Sequence, residues 1–256
     1  IFYWDISKGE IDDAAVENCS HIIHLAGFSI VKKWTKSNMQ MMYDSRITSS
    51  KLLYDACERV KCQPKTFITA SAIGFYGFEA VGEQKEEDEP AKDWLATMCV
   101  DWENAASKFK DFGARIVQLR ISLLLTKDAG FLAPTILSAR LGVTTVFGNG
   151  KQPIEWMHIN DVASFVLYAL QQNKIEGPYN MASSQKMNQF EFMKVVRKLV
   201  APYSLLIKVP HFVLNFIFGK RCVILEGGCQ LNTDKLKGSG FQLNYPNLEK
   251  AIKAEI

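Results

Sequence analysis

The chain has 256 residues, a formal net charge of +3, and hydrophobic and charged fractions of 48% and 22%. That length can bury one large core or two smaller ones, and the scattered, slight positive charge does not suggest a nucleic-acid-binding protein. No apolar run reaches the roughly 18 residues of a membrane helix; "VPHFVLNFIFG" is interrupted by His211 and Asn215 and reads as a packed helix.

The first residue is Ile rather than Met, and no basic-then-apolar signal pattern opens the chain. "HIIHLAG" (His21 to Gly27) reads as a buried strand ending on a small-residue corner. Leu52, Leu53, Ala56 and Val60 fall on one helix face. "KTFITAS" is a second strand, and Trp102, Ala105, Ala106, Phe109 and Phe112 mark a second helix. "ARIVQLRISLLL" reads as one long strand, followed by a helix carrying Val162, Phe165, Val166, Ala169 and Leu170. Alternation of strand and helix predicts a parallel sheet with crossover helices. Beyond residue 182 the pattern turns helical. Asn188 caps "QFEFMKVVRKLV", a second helix follows Pro210, and a short one lies near "NLEKAI", with weak strand signals between them. The expected division is therefore a sheet domain over 1–182, with 127–154 leaning toward the smaller part, and a mostly helical lobe over 183–256.

Ligands of open parallel sheets bind at the carboxyl ends of strands. Attention falls on Ala26-Gly27, on Ser71 and on the segment from Arg120 to Leu125. "TASAIGFYG" (Thr69 to Gly77) makes a polar strand exit, and it lacks the glycine before Ser71 that a nucleophile elbow needs. In "GNGKQPIEWMHINDVA", His158 and Asp161 are expected to brace the following helix, with Asn160 or Asp161 as its cap. The acidic run Glu86 to Glu89 reads as a solvated loop. His21 and His24, three apart on a strand, point to opposite faces and cannot share one ion; with two other histidines in the chain, no zinc site is expected. Six cysteines (Cys19, Cys57, Cys62, Cys99, Cys222 and Cys229) show no CxxC spacing and read as reduced, mostly buried thiols of a cytoplasmic protein.

An ordered set of short motifs runs along nearly the whole chain: "WD" at Trp4, "HLAG" at His24, "KKW" at Lys32, "DSR" at Asp44, "SAIGFYG" at Ser71, "DWE" at Asp101, "GNGKQ…WMHINDVA" and "GFQLNYPNLEKAI". This set resembles the atypical extended short-chain dehydrogenases/reductases, the sugar-nucleotide epimerase-like (NAD-dependent epimerase/dehydratase) proteins. The resemblance implies a Rossmann-like domain that binds NADP or NAD, and a C-terminal substrate lobe. It places Asp5 and Ile6 beside the adenine. Leu25, Ala26 and Gly27 would line the dinucleotide, with Arg46 near the cofactor and Leu124 by the nicotinamide. Ser71 matches the catalytic serine. A small-molecule substrate is implied, and a homodimer through the helices around Leu52 and Trp102.

Two departures stand out. The superfamily's Tyr-x-x-x-Lys acid–base pair is replaced, with Trp94 and Met98 standing where Tyr and Lys are expected, and neither can move a proton. The glycine-rich phosphate loop of a βαβ unit, which needs about 30 residues, precedes the equivalent of Trp4 in such proteins. The resemblance thus implies an N-terminally truncated sheet, with the first unit belonging to residues before Ile1. Two readings follow: an NAD(P)-dependent oxidoreductase or epimerase acting on a sugar nucleotide or similar metabolite, or a non-catalytic dinucleotide-binding sensor or assembly protein that has lost the acid–base pair.

Overall fold

The computed structural model describes all residues 1–256. In chain order the strands are β1 (Trp4–Asp5), β2 (Glu10–Ile11), β3 (His21–His24), β4 (Thr66–Ala72), β5 (Glu83–Gln84), β6 (Arg115–Ile121), β7 (Leu123–Leu125), β8 (Val143–Phe147), β9 (Trp156–His158), β10 (Gly177–Met181), β11 (Leu205–Val209) and β12 (Gln230–Leu231). The helices are α1 (Lys36–Tyr43), α2 (Ser49–Arg59), α3 (Trp94–Ser107), α4 (Leu132–Arg140), α5 (Ile159–Gln171), α6 (Gln189–Val200), α7 (His211–Phe218), α8 (Cys222–Glu226), α9 (Asp234–Gly238) and α10 (Leu248–Lys253). The main sheet has the order β10-β6-β4-β3, and β3 runs parallel to β4 from His21 opposite Thr66 to His24 opposite Thr69.

The chain divides into two compact units. The first holds Ile1–Phe75, Pro90–Arg120 and Tyr168–Tyr179; the second holds Tyr76–Glu89, Ile121–Leu167 and Asn180–Ile256. The first unit's core joins Ile22, Leu53, Ala56, Phe67, Ala106, Phe109 and Ile116. Phe67 of β4 stacks on Phe109 at 3.9 Å between ring centres, fixing α3 and its short continuation onto the sheet. The second unit's core joins Leu132, Trp156, Phe192, Val196, Leu248 and Ile252. No helix is long and apolar enough to cross a membrane.

The predicted strands and helices form, with instructive differences. The single run predicted over 114–125 breaks at Ser122, whose N–H and hydroxyl both donate to the Met181 carbonyl; β7 then pairs with β9. Asn188 caps α6 in a reciprocal box with Glu191, as the pattern predicts. The region thought weak in strands supplies β11, parallel to β8, and β12, parallel to β5. β11 was missed because Leu205 and Ile207 are exposed, so its alternation lacks a clear buried face.

Neither Asn160 nor Asp161 caps α5. His158 Nδ1 instead accepts the Asn160 N–H at 3.2 Å, while the Asp161 carboxylate accepts the N–H groups of Asn244 and Tyr245. Within the acidic run, Glu86 is buried rather than solvated, and its carboxylate accepts the Asn180 N–H at 2.9 Å. His21 is exposed and His24 buried, as opposite strand faces require.

Candidate functional site

Strand β3 delivers the chain to its small-residue corner with Leu25 half exposed. Directly beyond, Gly27 lies against a guanidinium: a Cβ there would stand 3.0 Å from Arg46 Nη2. Arg46 sits in the middle of a widened, π-type turn over Asp44–Thr48 that joins α1 to α2. Its Nη1 donates to the carbonyls of Phe28 (3.0 Å) and Met42 (2.9 Å), and its guanidinium lies 4.9 Å from the Trp102 ring centre. Although Arg46 is only 9% exposed, it forms no ion pair, and its buried Nε has no hydrogen-bond partner. Burial lowers its pKa from the ordinary arginine value.

Beside it, His24 hydrogen-bonds Ser49 Oγ through Nε2 (2.9 Å) and Ser50 Oγ through Nδ1 (3.2 Å). The Arg46 carbonyl lies within reach of both hydroxyls, at 3.2 and 2.8 Å; with His24 neutral, one hydroxyl donates to its bare ring nitrogen and the other accepts from its N–H and can donate to a carbonyl. Burial first, and the Arg46 charge second, push the His24 pKa down to about 4. The histidine therefore stays neutral at ordinary pH and packs between the rings of Trp4 and Phe67.

At the exit of β4 a second array forms. Ser71 donates to Glu103 Oε1 at 2.7 Å. Glu103 is gripped by Arg120, with Nε to Oε1 at 2.8 Å and Nη2 to Oε2 at 2.9 Å. The Arg120 guanidinium lies 3.5 Å from the centre of the Phe75 ring. All three polar side chains are buried. Leu95, Cys99 and Glu103 form the face of α3 turned toward this exit: a Cβ on Gly74 would meet Cys99 Sγ at 3.8 Å and Leu95 Cβ at 3.9 Å. Burial above all, then the Glu103 charge, pushes the Cys99 thiol up to about 12. Trp94 and Met98 look elsewhere, with Trp94 edge-on to Trp34 at 4.9 Å, and together with Met39 and Tyr43 of α1 they line a groove of about 530 Å³.

The other expected site residues scatter. The Asp5 carboxylate accepts hydrogen bonds from Ser7 N–H and Oγ–H and from Lys8 N–H, closing the β1–β2 turn in which Ile6 is half-buried. The Ser7 hydroxyl is the main cause of a lowered Asp5 pKa. Leu124 sits in β7 opposite Met157, in the second unit. The Tyr76 hydroxyl is buried and donates to Asn180 Oδ1 at 2.7 Å. Sequence reasoning gave no role to Glu103 or Arg120. The available signal was a charged residue inside the apolar run "IVQLRI", because a buried charge demands a partner.

Residues 2–182 match the NAD dependent epimerase/dehydratase family. The chain belongs to that family. An epimerase family protein of Staphylococcus epidermidis is 31% identical over 234 residues, which is 90% of this chain and 77% of that protein. Among solved structures, the human epimerase family protein SDR39U1, determined with NADPH, superposes with a TM-score of 0.82 at 24% identity, covering 93% of this chain and 81% of that one. UDP-glucuronic acid 4-epimerase from Bacillus cereus, in complex with UDP-glucuronic acid and NAD, gives 0.78 at 20% identity over 98% and 78%. The fold is accordingly Rossmann-like α/β. The β3 exit fits one wall of a dinucleotide site: an open small-residue corner, a glycine at close approach and a buried cation with an unfilled donor.

Proposed function

We propose that this protein is an NAD(P)-dependent oxidoreductase or epimerase acting on a sugar nucleotide or a similarly polar metabolite. Family membership supports the class, and the ligands of the structural neighbours support the kind of substrate. The observation that carries the reading on this chain is the Arg46 guanidinium, buried against Gly27 without a carboxylate to balance it. A phosphate or ribose oxygen of a dinucleotide satisfies such a group at the carboxyl end of a strand. When bound, the nicotinamide supplies the hydride acceptor or donor.

The chain's own residues bind and orient. The backbone of Leu25, Ala26 and Gly27 forms the wall. Ser71, whose proton is committed to Glu103, keeps oxygen lone pairs for a substrate hydroxyl. Helix α3 contains neither Tyr nor Lys, and the Cys99 thiol, held at about 12, stays protonated near neutrality. These residues therefore position the substrate rather than take its proton.

Titration of the purified protein with NADPH and NADH, followed by nicotinamide fluorescence, tests the reading. Saturable binding is expected, weakened about tenfold or more in Arg46→Met, a loss of about 1.4 kcal/mol. Incubation with NAD(P) and a panel of UDP-sugars then reads epimer formation or a change in nicotinamide absorbance. Absence of binding overturns the proposal. Binding without turnover on any substrate favours the sensor or assembly reading, for which the missing acid–base pair on α3 speaks.

A further inference from the structure

In the second unit, three different metal-ligating groups converge within sixteen residues of chain. His211 opens α7 directly after Pro210. The chain then turns through Gly219–Arg221 into α8, where Cys222 and Glu226 stand four apart on one helix face. His211 Nδ1 lies 2.5 Å from Glu226 Oε2, and the Cys222 thiol hydrogen-bonds the same carboxylate. The three donor atoms all lie within 4.8 Å of one another. From these positions we propose that His211, Cys222 and Glu226 form an open, three-ligand site for a divalent ion of the zinc class.

Zinc–ligand bonds of about 2.0–2.3 Å place tetrahedral donors roughly 3.5 Å apart. The His211–Glu226 contact must therefore open by about an ångström, and the widest pair close by a similar amount. Exposed His211 can swing that far; Glu226 is more firmly seated. Gly148, at φ +56°, packs so closely that a Cβ there would stand 2.8 Å from Glu226 Oε1. A thiolate, an imidazole and a carboxylate suit Zn(II) and disfavour Mg(II) and Ca(II), which take oxygen ligands. Two negative ligands neutralise the dication. In the metal-free protein, protons hold the contacts to Glu226, and binding releases them. The exposed side of His211 leaves a fourth position for water, as in open rather than closed zinc sites. Sequence spacing hid the set because it joins one residue of each type and no pair forms a familiar motif.

The proposal is independent of the dinucleotide reading, since none of the three residues takes part in it. Its test uses the whole chain, stripped with a chelator and titrated with Co(II), then Zn(II). One Co(II) per chain is expected, with a thiolate-to-cobalt charge-transfer band and the intense visible bands of a four-coordinate ion, both displaced by Zn(II). Cys222→Ser should abolish the charge-transfer band, and His211→Ala, at an exposed position, should weaken binding about tenfold or more. Circular dichroism melts confirm that both variants fold. No saturable binding overturns the site. A band that survives Cys222→Ser assigns the metal to another cysteine, and an unchanged affinity in His211→Ala leaves only an ordinary His–Glu contact; either result overturns it.

Discussion

Two buried arginines of the first unit are treated in opposite ways. Arg120 has everything a buried guanidinium needs: two charge-assisted bonds to Glu103, a further bond from Ser71 to that carboxylate, and the Phe75 ring beneath. Arg46 has carbonyls and the Trp102 face, but no carboxylate and an unfilled Nε. A complete network stabilises and orders its surroundings. An incomplete one retains a capacity for negative charge, and here it retains that capacity beside a glycine at a strand exit. The contrast separates a fully paired arginine from one that the proposed dinucleotide would complete.

The largest effect that can break this contrast is on the complete side. Glu103→Gln keeps the shape but strands Arg120 without countercharge, and should cost about 3–5 kcal/mol in urea unfolding. A cost below about 1 kcal/mol would mean that Arg120 finds solvent and is not a structural residue. Next comes pH. His24 is held at about 4 in the folded protein against an ordinary 6.5. Between those values the unfolded chain takes a proton that the folded chain refuses. Stability from this group is therefore complete above pH 6.5 and falls by about 3 kcal/mol as pH drops to 4. His24→Gln should flatten that slope; an unaltered slope places the acid sensitivity elsewhere. Smaller still is the stability effect of Arg46→Met. Replacing an uncompensated buried charge by an apolar side chain of similar length should leave stability unchanged or raise it by about 1 kcal/mol, while dinucleotide affinity falls. A stability loss as large as that of Glu103→Gln would erase the distinction between the two arginines.

The sequence carried the fold wherever periodicity was clean. β3, β4, α2, α3 and α6 are readable from side-chain spacing and, for α6, from the Asn188–Glu191 box. It failed where tertiary contacts decide. Nothing in "RISLLL" marks Ser122 as the break between β6 and β7, because the break is made by the distant Met181 carbonyl. β11 was hidden by exposed Leu205 and Ile207. At the candidate site, Gly27 and Arg46 were named separately, and only folding puts one against the other. Trp94 and Met98, read as the replacements of the acid–base pair, line a groove with Met39 and Tyr43, while Leu95 and Cys99, one position further along α3, face Gly74. The buried contacts of Leu95, Cys99 and Glu103 show which face of α3 meets the Ser71 exit.

Ser71 belongs both to the buried Arg120 array and to the position proposed for the substrate. It is 3% exposed, and its proton is directed at a carboxylate that already holds both nitrogens of Arg120. Ser71→Ala removes one hydrogen bond to a buried carboxylate and leaves the Glu103–Arg120 pair in place, so the fold should be destabilised by about 1.5–3 kcal/mol, less than in Glu103→Gln. If Ser71 merely completes the buried array, that is its whole consequence, and turnover and dinucleotide affinity should both stay level. If its oxygen receives a substrate hydroxyl, turnover should fall about tenfold or more while NAD(P)H affinity is untouched, because the loss occurs where the substrate reacts and not at the β3 wall. Ser71→Thr retains the hydroxyl and should recover part of the activity. Steady-state kinetics beside a fluorescence titration separates these outcomes, and a parallel loss of both quantities would show that the Ser71 array supports the Arg46 wall rather than the substrate.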